Sequence, residues 1–463
     1  MSVNDIVKKL KDERIRSLFG QSWSMSWPMT LIMFFLFLIG LTDVYVAGRI
    51  SKEIQASYGL ASQIYFILSI IVFALTVGSV SMVSRLYTSD KKDEFIAVVD
   101  SSIAVSLAAG IIFTMLGLLF SRSIINVLAV PDVLKVYAVP LLRIYSAGLV
   151  FSYLLISSNG ILRASGMIRS SLLTMAAVCL LNAVLNFYFA FHTPLGFKGI
   201  AVATVFSSFI GCLMNLFFMR KKITGLFRFS VPAIKAMIRI GWPAGLMQVL
   251  WQFGAIVLFL ILAALPHHNI EIMAAFTNGL KIESAIFLPA FAFNMANAVV
   301  VGNLLGKKRE SDAFLIGIVT AASGVIIVLL LTVLVMLNAH FIASLLSPDE
   351  VVVSECMRYI YIALLCEPVM SWGVILAGAL NGAGDTKGVM LIVAFSVWLV
   401  RLPLSFFLAV VLGLGATGIW WSMNISLVFQ ALLMSHRYLK RRWLSSRIPP
   451  VISAAPLPVI PIE

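Results

Sequence analysis

Charge is scarce in this chain. Asp, Glu, Lys and Arg make up 12% of its 463 residues, and 61% are hydrophobic, whereas a soluble domain is about 25% charged and about 45 to 50% apolar. That balance excludes a soluble globular protein and points to an integral membrane protein. Cysteine is scarcer still. Cys179, Cys212, Cys356 and Cys366 form no CxxC pair and lie in or near apolar segments, so they read as small buried hydrophobes rather than metal ligands. There are five histidines, and the pair in "LPHHNIE" (265–271) reads as part of a solvated external loop. No HExxH, GxSxG or phosphate-binding loop occurs, which argues against an enzyme and against ATP as the energy source. The N-terminal "MSVNDIVKKLKDERIRSLFGQSW" is charged and amphipathic, so the apolar run after it is expected to be retained rather than cleaved.

What the chain does contain is long apolar runs. Twelve spans are expected near 22–47, 57–83, 98–120, 134–158, 170–191, 197–219, 238–265, 272–302, 312–338, 355–380, 389–411 and 415–436. Each is long enough to cross about 30 Å of hydrocarbon as a helix. With the N-terminus in the cytoplasm, and with basic residues at the very ends of spans counted with the adjoining loop, the cytoplasmic segments hold 25 of the 34 Lys and Arg and the external loops hold 6. The remaining three, Arg143, Lys281 and Arg401, fall deep within spans. The net charge of +14 is thus a topological signal placing both termini inside, not a nucleic-acid footprint. "RYLKRRW" (437–443) is also suited to anionic lipid headgroups.

The chain repeats itself. "SWPM" (26–29) returns as "GWPA" (241–244), 215 positions on. "VSRLYTSDKKDEF" (83–95) is echoed by "VGNLLGKKRESDAF" (301–314), and "NGILRASGMIRSSLL" (159–173) by "AGALNGAGDTKGVML" (377–391), both at 218. "LGFKGIA" (195–201) pairs with "LGATGIW" (414–420) at 219. Four similar offsets in one order predict an all-α membrane protein of two homologous six-helix bundles, a parallel pseudo-two-fold repeat. The expected domains are an N-lobe (1–222), a cytoplasmic linker (223–230), a C-lobe (231–445) and a C-terminal tail (446–463).

A few polar residues interrupt the apolar spans. Asp43 follows an uncharged run from Met29 to Leu41, and a carboxylate in lipid costs roughly 2.5 to 3.5 kcal/mol on insertion scales. It is either an acid at the water boundary or a group whose charge must be removable by a proton or a hard cation. Asn182 and Asn186 in "CLLNAVLNFYF" share a helical face at i, i+4. That spacing suits interhelical hydrogen bonding as well as a site. Lys281 and Glu283 are i, i+2 and so point in different directions.

These landmarks also carry a family resemblance. "LTDVYVAGRIS", "LRASGMIR", "NAVLN" and "GALNGAGDTK", in that order over nearly the whole chain, resemble the multidrug and toxic compound extrusion (MATE) family. The resemblance implies two bundles facing each other in a V. It implies export of cationic or amphiphilic small molecules, coupled to inward movement of Na⁺ or H⁺. It implies an ion-coupling set of Asp43, Asn182, Asn186 and Thr204, with Na⁺ as one candidate occupant, and a conformational role for Pro28. One branch of the family carries Asp where this chain has Asn186, which leaves Na⁺ and H⁺ both open. Tyr145 matches an aromatic near the N-lobe cavity, and Gln248, Gln252, Lys281, Glu283 and Glu367 are further cavity candidates. The position 215 after Asp43 is Leu258, within "GAIVLFLILAAL", so no matching acid cluster is expected in the second half. Beyond the coupling ion no cofactor is expected, and the partners are membrane lipid and the transported molecule, with the chain acting as a monomer in the inner membrane. A lipid-linked precursor flippase of the same broader superfamily is the alternative. Such flippases often carry several cavity cations, whereas only three basic residues fall deep in spans here.

Overall fold

The computed structural model describes residues 3–128, 130–220, 229–265, 269–346 and 349–445. Most of the expected linker, the His267–His268 pair and the tail beyond residue 445 lie outside the described residues. Among the described residues the fold is helical without strands, and a helix meets its backbone hydrogen bonds within itself where lipid offers no partner.

The first half runs α1 (Val3–Ile50), α2 (Lys52–Tyr87), α3 (Lys92–Val127), α4 (Asp132–Ala147), α5 (Leu149–Ala164), α6 (Ile168–Phe191) and α7 (Lys198–Met219). The second runs α8 (Val231–Ala263), α9 (Asn269–Gly306), α10 (Glu310–Leu337), α11 (Ala339–Leu346), α12 (Glu350–Ala363), α13 (Glu367–Gly382), α14 (Thr386–Phe395), α15 (Leu402–Phe406) and α16 (Gly415–Leu439). Two π-helical segments, Ser396–Arg401 and Phe407–Val411, flank α15. Among the described residues ten helices are long and apolar enough to cross a membrane, and α4 with α5 makes an eleventh, bent by 51°. The bend falls at Gly148, where a Cβ would meet Val205 at 2.3 Å, so only glycine fits that crossing. The 25-residue α16 completes twelve rods, and each expected span falls on one of them.

The repeat is visible in the backbone itself. α3 and α10 begin at Lys92 and Glu310, and α5 and α13 end at Ala164 and Gly382, both 218 positions apart. After each of those ends a glycine turns left-handed, Gly166 at φ 73° and Gly384 at φ 85°. The next amide reaches back to the helix, Met167 N–H to Leu162 O and Asp385 N–H to Leu380 O, both 2.8 Å. That is one Schellman cap, made twice, and it explains why "ASG" and "GAG" survive in otherwise divergent halves.

The chain divides into two compact units. One takes Phe35–Trp242, and the other takes Pro243–Ser446 together with Met1–Phe34. α1 therefore contributes to both. Its first part packs Leu18 in one core with Phe293, Val300 and Leu304. Ser22 and Thr320 share a buried hydrogen bond of 2.8 Å, and Arg14 Nε donates to Asp312 at 2.7 Å. Pro28 lies inside α1 and is buried. In the Phe35–Trp242 unit, Val46, Ala47, Tyr58, Ala61, Leu141, Leu142, Tyr145 and Ile200 form a core from α1, α2, α4 and α7. Hydroxyls inside the helices mostly return to their own backbone, as Ser69 to Tyr65 O and Ser207 to Ala203 O do. That is how an apolar bundle tolerates serine.

Candidate functional site

The end of α1 carries Asp43 into the core just described, where it is 3% exposed. α6 presents Asn182 and Asn186 on one face, 1% and 0% exposed, and α7 adds Thr204. The i, i+4 spacing of the two amides makes them neighbours, with Asn186 Nδ2 donating to Asn182 Oδ1 at 3.2 Å. Asn186 Nδ2 also donates its second hydrogen to Asp43 Oδ1. The Thr204 hydroxyl lies 3.2 Å from Asp43 Oδ2 and 3.2 Å from Ile200 O, and it accepts from Asn182 Nδ2 at 3.1 Å. So the four residues expected to form one site do converge.

The structure adds a fifth. The Tyr58 hydroxyl on α2 donates to Asp43 Oδ2 at 3.3 Å. Sequence reading missed it, because a tyrosine in "ASYGL" (56–60) has no spacing that ties it to an aspartate on another helix. Tyr58 meets the ring of Tyr145 edge-on at 6.5 Å, and Tyr65 lies 5.2 Å from the same ring. Tyr145 is thus near the site, as expected, with its hydroxyl buried beside that of Thr204.

Two features decide what this arrangement can do. First, every group that contacts Asp43 is neutral, and no basic side chain among the described residues pairs with it. The carboxylate is satisfied in hydrogen bonds but not in charge, and a lone buried charge is costly. Second, the donors can reverse. Thr204 has one proton and two acceptors, so it can turn toward Ile200 O and offer Asp43's partner a lone pair instead. Asn186 Oδ1 is buried without a partner, and an amide flip would aim it inward. The same side chains can therefore hold the empty carboxylate with hydrogen atoms or surround a small hard cation with oxygen atoms.

The other candidates lie elsewhere. Gln248 and Gln252 on α8 are half-buried, and Lys281 on α9 is exposed. Glu283, two residues on, faces the other way and accepts from the Tyr359 hydroxyl. The position matching Asp43 is Leu258, as expected, but the second half gathers acids elsewhere. Glu283 from α9, Glu367 from α13, Tyr359 from α12 and Arg401 gather within the Pro243–Ser446 unit. Pairwise spacing could not reveal this, since four separate helical segments supply the four residues.

Known proteins resemble this chain along most of its length. The family model described as MatE matches residues 28–188 and 243–407, one stretch in each half. A Thermotoga maritima protein named "Probable multidrug resistance protein NorM" is 24% identical over 420 residues, covering 88% of this chain and 89% of that one. The "Uncharacterized transporter YisQ" of Bacillus subtilis is 21% identical over 457 residues, covering 95% and 97%. The solved structure of a MOP superfamily transporter from Pyrococcus furiosus superposes with a TM-score of 0.86 at 20% identity, covering 93% of this chain and 97% of that one.

Proposed function

The chain belongs to the MatE family, and from that premise we propose that it is a secondary exporter of amphiphilic or cationic small molecules with Asp43 as its ion-responsive group. The observation that carries the reading is a carboxylate, 3% exposed, surrounded by neutral donors alone. Such a group is stable in a dry core only when a proton or Na⁺ cancels its charge, and it tolerates ionisation when water reaches it. A ligand shifts a conformational equilibrium by its difference in affinity for the two states. Ion binding at Asp43 therefore favours a dry form of the site and ion loss a wet one. Coupled to alternating access between the two sequence repeats, that bias drives antiport.

The names of the relatives support multidrug efflux as the task. The 25-to-6 distribution of Lys and Arg supports an inner-membrane orientation with both termini cytoplasmic. A cysteine replacing the exposed Lys307, in the turn between α9 and α10, should then resist membrane-impermeant thiol reagents applied outside intact cells. The deciding experiment is dye efflux from proteoliposomes under an imposed Na⁺ gradient and, separately, a pH gradient. Efflux is expected under one of them and absent when neither is imposed. Equal efflux without any gradient would remove the basis for ion coupling.

A further inference from the structure

The acid cluster of the Pro243–Ser446 unit has a feature that the Asp43 site lacks. Glu367 is 1% exposed and Arg401 8%. The Glu283 and Glu367 carboxyls come within hydrogen-bonding reach of each other, and two carboxyls can share a hydrogen bond only with a proton between them. Glu283 also receives the Tyr359 hydroxyl, while Glu367 Oε2 has no partner. Arg401 is held by Nε to Ser426 Oγ at 2.9 Å, and its guanidinium lies 5.1 Å from the Trp251 ring centroid. It sits within electrostatic reach of both carboxyls and of Tyr359. Arg401 ends the π-helical turn Ser396–Arg401, and π-bulges occur frequently at functional sites.

The charges balance. Two carboxyls sharing one proton carry one negative charge, and Arg401 carries one positive charge. The remaining groups packed around them, Tyr359, Ser426, Trp251 and the Cys366 thiol near Glu367, are neutral. We propose that Arg401 is a tethered counter-cation that fills the role an exchangeable ion would otherwise take, leaving the cluster a fixed brace with no call for Na⁺ or a further proton. The arginine would then keep coupling confined to a single site in each chain. This assignment does not depend on which ion, if any, Asp43 binds.

The test isolates the cluster by working in an Asp43→Asn background, with thermal stability of the detergent-purified chain read across Na⁺ concentration and pH. With Arg401 intact, the melting temperature should be flat in Na⁺ and across mild acidification. Adding Arg401→Gln should lower it and make it climb by several degrees as Na⁺ is added or the pH falls, because bound ligand stabilises by mass action. Adding Glu283→Gln as well removes the orphaned charge and should restore an ion-independent melt. That triple variant also covers the case in which Arg401→Gln alone fails to fold, since it should recover folded protein. Three results would overturn the proposal. One is Na⁺- or proton-dependent stability with Arg401 present that vanishes in Glu367→Gln. Another is an Arg401→Gln protein as stable and as ion-insensitive as its parent. The third is a triple variant that fails to recover.

Discussion

The two repeats place polar clusters at corresponding positions and balance their charge in opposite ways. Glu283 lies 218 positions after Tyr65, Arg401 lies 219 after Asn182, and Leu258 stands 215 after Asp43. In the first half the acid comes from the long entry helix, and the helix opposite offers amides. In the second half the entry helix offers leucine, the acids come from α9 and α13, and the position corresponding to the amides holds an arginine. Among the described residues one cluster has an anion with no cation, the other an anion with a cation of its own. The lesson is that a buried carboxylate does not by itself indicate an ion site. Whether a permanent countercharge stands beside it matters more.

The largest expected effect breaks the first cluster. Asp43→Asn keeps the shape and offers an amide to the same neighbours, but it makes the neutral state permanent. Gradient-driven export in proteoliposomes should fall at least tenfold, with thermal stability in detergent near that of the parent. Near-normal export by this variant would falsify the assignment of Asp43 as the switch. Next comes Asn186→Asp, which places a second carboxyl against Asp43 Oδ1, where the amide nitrogen now sits. Two carboxylates at that distance repel unless a cation or proton lies between them. Stability should become strongly dependent on Na⁺ or acid, and half-maximal transport should move to about tenfold lower coupling-ion concentration. An unchanged ion dependence would show that Asn186 is structural only.

A smaller effect is expected from Tyr58→Phe. The phenol donates to Asp43 Oδ2 at 3.3 Å and so stabilises the charged, ion-free form. A hydrogen bond to a charged group contributes roughly 1.5 to 3 kcal/mol, less at a length as great as this one. Its loss should tighten apparent coupling-ion affinity by about threefold to tenfold and slow ion release, while the ring keeps its packing on Tyr145. A purely structural tyrosine would change the melting temperature without moving the ion midpoint.

Much of the fold was legible because it is written in period and repetition. Long uncharged runs gave the spans, and "ASG" with "GAG" marked the two caps whose glycines turn left-handed. The Asp43 set was legible in part. Asn182 and Asn186 announce a shared face by spacing, whereas their approach to Asp43 was supplied by resemblance and then found in the geometry. Tyr58 and the gathering of Glu283, Tyr359, Glu367 and Arg401 were not legible. Each of those residues meets the others across helix packing, and one sequence does not reveal which faces of distant helices meet. The 51° break at Gly148 was hidden for a similar reason, since Val205, whose side chain demands the glycine, lies 57 positions away.

The smallest effect is expected in the second cluster, where it separates the two acids. Glu283 accepts the Tyr359 hydroxyl and lies toward Arg401, so it is the member that holds the negative charge. Glu367, with one oxygen unpartnered, then supplies the proton between them. Glutamine mimics a protonated glutamate: it is neutral, similar in shape, and its amide can donate where the acid hydrogen did. Glu367→Gln should therefore leave gradient dependence intact and change stability by no more than about 1 kcal/mol. Glu283→Gln is the same chemical edit one hydrogen bond away, yet it removes the anion within reach of Arg401 and leaves only Glu367 to ionise there. Removing one partner of a direct buried pair costs about 3 to 5 kcal/mol, and this half-buried glutamate, which acts on Arg401 without a direct ion pair, should cost less than that. The measurement is paired chemical or thermal denaturation of the two variants beside transport under each gradient. If Glu367→Gln is the more damaging of the two, the proton has been placed on the wrong acid. If Glu367→Gln abolishes coupling while Asp43→Asn does not, the exchangeable charge belongs to the second half.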